Sequence, residues 1–389
     1  MPEAMHIVKA DDELWQQYDD LATRSYGHPV GDIMRLRPHA DIRVALRDGR
    51  VIAGGLGLLV PQFFGGAPVP SALLSAGCVA PEERGAHLSI DMLAERLRHL
   101  RDQGAVISTL WTTSGGYVRR LGWEAPTPVF AWSIATDDLK RAYSRSTLPV
   151  QHGRTPEADE LQRRLARHWN GPVLRPDWWP AWMDSKQQLT TYQVGPAKAP
   201  TGLLSFAMKR SERHGMELTV HDYWAADEES VTAMMAFLAS HHTRAPIIHF
   251  RRSALPPYPT LLHNLHRYRP TAEAWHPWML RILDLHEAVR LRGWPLNDEL
   301  AMPLEVEGEN GDTWEPYLLE VKDGVGQLTK THGAGEVRLT RRQLAVWYAG
   351  GYRTAASALL TGVATRSDEA LTRLIRTTAA HEPWLPDHF

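Results

Sequence analysis

Cysteine is almost missing from this chain: Cys78 is the only one in 389 residues. One thiol excludes an intrachain disulfide framework and any metal site built on several cysteines. Long apolar runs are missing as well, none approaching the ~18 residues that a membrane-spanning helix requires. Neither sign of charge dominates: 43 Lys and Arg face 45 Asp and Glu, a formal net charge of −2, with a pI near 6.8. That balance offers no basic footprint for nucleic acid and no polybasic membrane patch. The first residues, Met1 to His6, lack the apolar core of a secretory leader, so a cytoplasmic protein is expected. Low-complexity segments are absent. His241, His242 and His249 lie close in sequence but match no familiar ligand spacing, so no metal is expected.

What is present suits folded domains. Hydrophobic residues make up 43% of the chain, and its length predicts two or three domains. Fifteen tryptophans are enough for cores and for aromatic-lined clefts. Residues 11–24 read as a helix with Asp11 or Asp12 as N-cap. Arg43 to Leu46 alternates, Asp48-Gly49 marks a hairpin turn, and Val51 to Val60 returns as an apolar strand. Ser71 to Val79 and Val106 to Trp111 read as strands, with a helix over Ile90 to Leu100 between them. The strand at Val129–Ile134 closes a first α+β unit near residue 145, and Leu148–Glu157 reads as a linker. A second unit repeats the rhythm with strands at Gly202–Lys209 and Glu217–Trp224 and a helix over Val231–Leu238. Trp178, Trp179 and Trp182 are expected mainly in helical packing. From Asp284 onward a third unit holds a short helix, strands over 302–330, and helices at Arg341–Ala349 and Ser367–Thr378.

The segment Cys78 to Leu93 carries the chemistry. An apolar strand runs through Val79-Ala80-Pro81 into a turn with Arg84 and Gly85, then into an amphipathic helix. Backbone N–H groups and the positive end of a helix suit a pyrophosphate. The segment resembles the acyl-CoA cradle of the GCN5-related N-acetyltransferases. Further blocks, in order and spacing, narrow the resemblance to the enhanced intracellular survival (Eis-like) acetyltransferases. They are Ser114-Gly115-Gly116 with Arg120-Leu121-Gly122-Trp123, Leu174-Arg175-Pro176, Trp278 to Ile282 with Arg292-Gly293, Leu344 to Tyr352, and the terminal Phe389.

The resemblance implies an α+β chain of tandem N-acetyltransferase (GNAT) lobes plus a C-terminal sterol-carrier-like domain. Residues 1–147 form the lobe with the acyl-CoA cradle, 148–283 a second lobe without one, and 284–389 the sterol-carrier-like part, whose interior reads as an ordinary core. It implies acetyl-CoA as co-substrate, a small-molecule or peptidyl amine as acceptor, no nucleic-acid or membrane partner, and a hexamer. Val79, Arg84, Gly85, His87 and Leu88 then face the cofactor, with Ser114 and Gly115 on its far side. The carboxylate of Phe389 is the implied general base, and a tyrosine is the implied general acid. Two departures stand out. His87 occupies a cradle glycine, and Val118 occupies the tyrosine position, four residues before Gly122. Tyr117 is the nearest replacement, although on extended backbone it faces away from Val118. The expected function is acyl-CoA-dependent N-acyl transfer; the alternative is the same scaffold reused for other chemistry or for binding.

Overall fold

The computed structural model describes residues 5–27, 33–85, 87–143, 145–212, 215–251, 253–257, 264–265, 267–309 and 311–389. The first segment begins with β1 (His6–Lys9) and α1 (Asp12–Tyr26), then α2 (Ile33–Leu36), β2 (Ala40–Arg47) and β3 (Arg50–Leu59). The Asp11 carboxylate caps α1 at the Leu14 N–H, and Asp48 and Gly49 both take left-handed φ in the β2–β3 turn. A small hairpin of β4 (Gln62–Phe64) and β5 (Ala67–Val69) leads to β6 (Ser71–Val79), α3 (Leu88–Asp102), β7 (Ile107–Trp111) and α4 (Gly115–Arg120).

The middle segment holds β8 (Phe130–Ala135), α5 (Thr136–Ala142), β9 (Val150–His152), α6 (Pro156–Ala166), β10 (Trp169–Asn170) and α7 (Trp178–Gln187). It continues with β11 (Thr190–Val194), β12 (Gly202–Ser211), β13 (Gly215–Ala225), α8 (Glu228–Ala239), β14 (Ile247–Phe250) and β15 (Thr271–Ala274). The last segment runs β16 (Trp278–Ile282), α9 (Leu285–Leu291), β17 (Leu300–Glu307), β18 (Trp314–Lys322), β19 (Val325–Lys330), β20 (Val337–Leu339), α10 (Arg341–Tyr348), α11 (Ala355–Leu359), β21 (Ala364–Thr365), α12 (Asp368–Arg376) and β22 (Glu382–Pro383).

Two compact units result. One comprises residues 1–126, 278–380 and 389; the other comprises 127–277 and 381–388. The first unit contains a six-stranded sheet, β1-β2-β3-β6-β7-β16, and a five-stranded sheet, β19-β18-β17-β20-β21. The second contains a seven-stranded sheet, β15-β8-β14-β13-β12-β11-β9.

This topology corrects two expectations. The strand read as closing the first unit, now β8, pairs antiparallel with β14 and β15 in the second. The edge of β7 is covered instead by β16, from far later in the chain, in antiparallel register from Trp278↔Trp111 to Ile282↔Ile107. Burial explains the choice: Trp278, Met279 and Leu280 are sealed from solvent, whereas β8 is mostly half-exposed. The Trp278 indole N–H also donates to the Thr109 hydroxyl, which locks the register. The stretch read as a linker at 148–157 contributes β9, paired with β11, and the first turn of α6.

The second unit's core gathers Leu204, Phe206, Leu218, Val220, Met234 and Leu238. Trp179 and Trp182 of α7 are almost fully buried, ring centroids 5.0 Å apart. The three histidines have separate partners: Phe237 O for His241, Lys140 for His242 and Ser133 for His249. Among the described residues, no helix is long and apolar enough to cross a membrane.

Candidate active site at the fork of the first sheet

β6 and β7 begin as a parallel pair, Ser71↔Ile107 to Leu74↔Leu110, and then part. β6 runs on through Ser75 to Val79 with no β7 partner, so the sheet forks. On its other side, β6 skips a residue against β3: Gly54 faces Cys78, but Leu56 faces Ser75. The bulge puts Ala76 in left-handed conformation, φ 49°. Carbonyls released by the bulge must find donors elsewhere. Two tyrosines of α1 supply them: Tyr18 Oη donates to Ala76 O at 2.6 Å and Tyr26 Oη donates to Gly77 O at 2.6 Å.

Beneath the bulge lies Arg96 of α3, only 4% exposed. Its guanidinium donates to two backbone carbonyls, Ser75 O at 2.8 Å and Leu56 O. The adjacent glycines make this possible. A Cβ on Gly54 would overlap the Tyr18 ring, and one on Gly55 would overlap the Arg96 guanidinium. Burial lowers the Arg96 pKa. Around it stand Tyr18, Tyr26, Cys78 and Tyr117, which couple to it electrostatically. Burial pushes the Cys78 thiol up to about 11, against the pull of Arg96, so it stands as a neutral thiol rather than a nucleophile.

The cradle residues lie at the mouth of the fork. Arg84 and Gly85 are exposed in the turn between β6 and α3. Leu88 is buried with Met92, Ile52 and Ala45, and Val79 packs on that cluster, so Leu88 offers the turn only its backbone. Ile90 N–H is taken by the His87 carbonyl, and the N–H groups ahead of it lie at the partially positive end of α3. His87 is the N-cap of α3 in left-handed conformation, φ 59° and ψ 12°, and its side chain makes no capping bond. The imidazole is exposed. The departure from glycine therefore concerns the backbone first: a left-handed L-residue costs roughly 1–2 kcal/mol, partly offset by the greater unfolded-state freedom of glycine. His87→Gly is expected to stabilise the protein by about 0.5–1 kcal/mol in urea denaturation; a loss of stability would instead assign the imidazole a structural contact.

Ser114 and Gly115 open α4 at the far end of β7, with open space around Gly115. Here the structure corrects the reading of Tyr117 and Val118. They lie on a helix, not on extended backbone, so neighbours diverge by about 100° rather than facing opposite ways. Val118 is fully buried in the core with Leu93, Leu97 and Trp123. Tyr117 is half-buried, and its electrostatic partners are Arg96 and Tyr26. Burial raises its pKa while Arg96 pulls it back. Phe389, 8% exposed, clusters with this first unit, although residues 381–388 cluster with the second. Tyr18, Tyr26 and Arg96 are the residues that the sequence reading missed.

Residues 6–125 match an acetyltransferase (GNAT) domain family, and residues 171–282 match a second family of the same description. Residues 285–386 match a sterol carrier protein domain. The chain is two GNAT domains followed by a sterol-carrier domain. It is related to the Eis N-acetyltransferases. Eis of Mycobacterium tuberculosis (strain ATCC 25177 / H37Ra) is 25% identical over 355 residues, covering 86% of this chain and 84% of that protein. The crystal structure of a GCN5-related N-acetyltransferase from Anabaena variabilis superposes with a TM-score of 0.87 at 26% identity, covering 99% of this chain and 100% of the other. Eis1 from Mycobacterium abscessus shares the fold with a TM-score of 0.75 at 18% identity, covering 99% and 100%. Within the first GNAT domain, β6 and β7 part after Leu74, and the turn after β6 leads into α3.

Proposed function

We propose that this protein is an acyl-CoA-dependent N-acyltransferase, with acetyl-CoA as donor and a small-molecule or peptidyl amine as acceptor. The observation that carries the reading is the fork itself. β6 leaves β7 after Leu74, and past that point Arg96 of α3 and Tyr117 of α4 share one cluster with Tyr18, Tyr26 and Cys78.

Acetyl-CoA supplies the activated acyl group. The amides of His87 and Leu88 and the Arg84 guanidinium hold phosphate oxygens, while Val79, Gly85, Ser114 and Gly115 line the remaining walls. The Phe389 carboxylate takes the proton that the amine sheds as its nitrogen bonds to the acyl carbon. Tyr117 Oη holds the proton that the departing sulfur accepts. Burial favours the neutral phenol, which keeps that proton in place at neutral pH. A cytoplasmic hexamer belongs to the same reading.

The test is calorimetric titration of the full chain with acetyl-CoA, followed by CoA release over an amine panel. Binding in the range of about 1 μM to 1 mM with amine-dependent release is expected. Neither binding nor release would leave the alternative, an acetyltransferase scaffold reused for other chemistry.

A further inference from the structure

The second GNAT domain repeats the fork of the first. β13 pairs in parallel with β14 from Glu217↔Ile247 to Val220↔Phe250, and then runs on to Ala225 without it. In the first domain the corresponding opening meets an Arg/Gly turn and an amide-rich helix end. Here β13 passes to α8 within two residues, and that helix opens on Asp227, Glu228 and Glu229. Carboxylates occupy the place that a pyrophosphate would need, so the opening repels phosphate.

The opening is nevertheless not closed. It holds a cavity of about 330 Å³, near the lower end of ligand pockets, about 300–1,000 Å³. Trp169, Trp224 and Trp384 form an aromatic arc in its wall: Trp384 lies 5.2 Å from Trp169 and 4.8 Å from Trp224, centroid to centroid. The indole N–H groups of Trp224 and Trp384 are already committed, to Asp222 and to Ser253 O. Their rings are nearly sealed, 2% and 3% exposed, and the Arg175 guanidinium lies 5.7 Å from the Trp224 centroid, so these two supply apolar wall while Trp169 is the half-buried ring. Among the described residues no Lys or Arg lines the cavity, and Asp227 and Glu228 are its carboxylates. One oxygen of Asp227 is taken by the N–H and hydroxyl of Ser230, at 2.8 and 2.7 Å, whereas Glu228 is exposed. Tyr223 also lines the cavity. It is 4% exposed, and its buried hydroxyl has no hydrogen-bond partner among the described residues. That oxygen is sealed from solvent, so the hydroxyl lies behind the wall and not on the cavity surface.

We infer that this cavity binds a small lipophilic ammonium ion, an aryl- or alkyl-amine whose apolar body sits against the tryptophans and whose cationic head meets the Glu228 carboxylate. Indole faces attract cations through their quadrupole, and a nearby carboxylate adds direct attraction. The inference does not rest on acyl transfer in the first domain, and its test keeps the two apart.

Full-length protein is titrated calorimetrically at neutral pH with phenethylammonium, 2-phenylethanol and phenylacetate, which share a ring and differ in charge. Phenethylammonium is expected to bind with a Kd below about 1 mM, about tenfold tighter than the alcohol, with phenylacetate weakest. Glu228→Lys, at an exposed position, should weaken ammonium binding about tenfold. Tyr117→Phe should leave it unchanged. Equal affinity for ammonium and alcohol, insensitivity to Glu228→Lys, loss of binding in Tyr117→Phe, or no heat from any probe up to about 10 mM would each overturn the assignment.

Discussion

Tyr117→Phe is expected to lower kcat about 10²–10⁴-fold with little change in the KM for acetyl-CoA. In the proposed mechanism the phenol acts only as the sulfur departs, so its loss should fall on the chemical step and not on binding. The pH profile separates this role from a packing role. A general acid works in its protonated form, so turnover holds below its pKa and falls as pH rises through it. Burial raises the Tyr117 pKa, which puts that limb above the ordinary tyrosine value of about 10. In Tyr117→Phe the limb should vanish with the rate. Deleting Phe389 should cost a similar factor, because the terminal carboxylate, the proposed base, is then displaced to His388 while the turn before α3 is untouched. Unchanged kcat in Tyr117→Phe would remove Tyr117 from the mechanism. Moving the tyrosine to the family position is not a remedy. Val118 is fully buried, so Val118→Tyr overpacks the core and should destabilise it by about 1–3 kcal/mol.

How much of this was legible in the sequence depends on the distance over which each signal acts. Local devices were readable: Asp11 as the cap of α1, Asp48-Gly49 as a hairpin turn, and the Arg/Gly turn before α3 all act within a few residues. The exchange of strands was not. Val129–Ile134 and Trp278–Ile282 are both short apolar runs, and nothing in either states which sheet it completes. The partner edge on β7 decides, through burial and the Trp278–Thr109 bond. Tyr117 was misjudged because Gly115-Gly116 disfavours a helix, yet α4 begins there. Arg96 was hidden by its type, since a charged residue on an amphipathic helix reads as solvated. Its signal lay on another strand, in Gly54-Gly55 of β3, where missing side chains mark the close approach of something large. In the second domain β13 passes to α8 through Ala226 and Asp227, without an Arg/Gly turn. Its cavity escaped notice because Trp169, Tyr223 and Trp384 meet only after folding.

Arg175→Met is expected to be the most damaging single change in the second unit. Arg175 grips Asp222 with two nitrogens at 2.6 and 3.0 Å and donates from Nε to Asp387 at 2.7 Å. The other Asp387 oxygen accepts the Val173 N–H at 2.8 Å. All three side chains are at most 9% exposed. Burial works against both carboxylates. Beside Arg175, Asp222 is nonetheless held below the usual carboxylate range, whereas Asp387 stays above it. Without the guanidinium, two buried carboxylates face each other, and the loss should be roughly 3–5 kcal/mol, or roughly 10 °C in melting temperature. The pH response should have a definite sign. In the variant both carboxyls have raised folded-state pKa values, so the native state binds more protons than the unfolded state and stability rises as pH falls from about 7 to about 5. In the wild type, the stabilisation from Asp222 is present above the unfolded value of about 3.9 and lost as pH falls through its lower folded value, so only the raised Asp387 gives a rise of that sign and the rise should be smaller than in the variant. Combining Arg175→Met with Asp222→Asn and Asp387→Asn should recover much of the loss, because the uncompensated charges go together. The ion-pair cluster is also expected to hold the chain end. Asp387 is two residues from Phe389, and holds besides Arg175 include the Val173 N–H on Asp387, the Trp384 indole on Ser253 O, the pairing of β22 with β10 and Asn170 on His381 O. Carboxypeptidase should therefore release Phe389 far faster from Arg175→Met than from the wild type, and acyl transfer should fall with it. Equal release from both proteins would show that the cluster stabilises the second unit without positioning the terminal carboxylate.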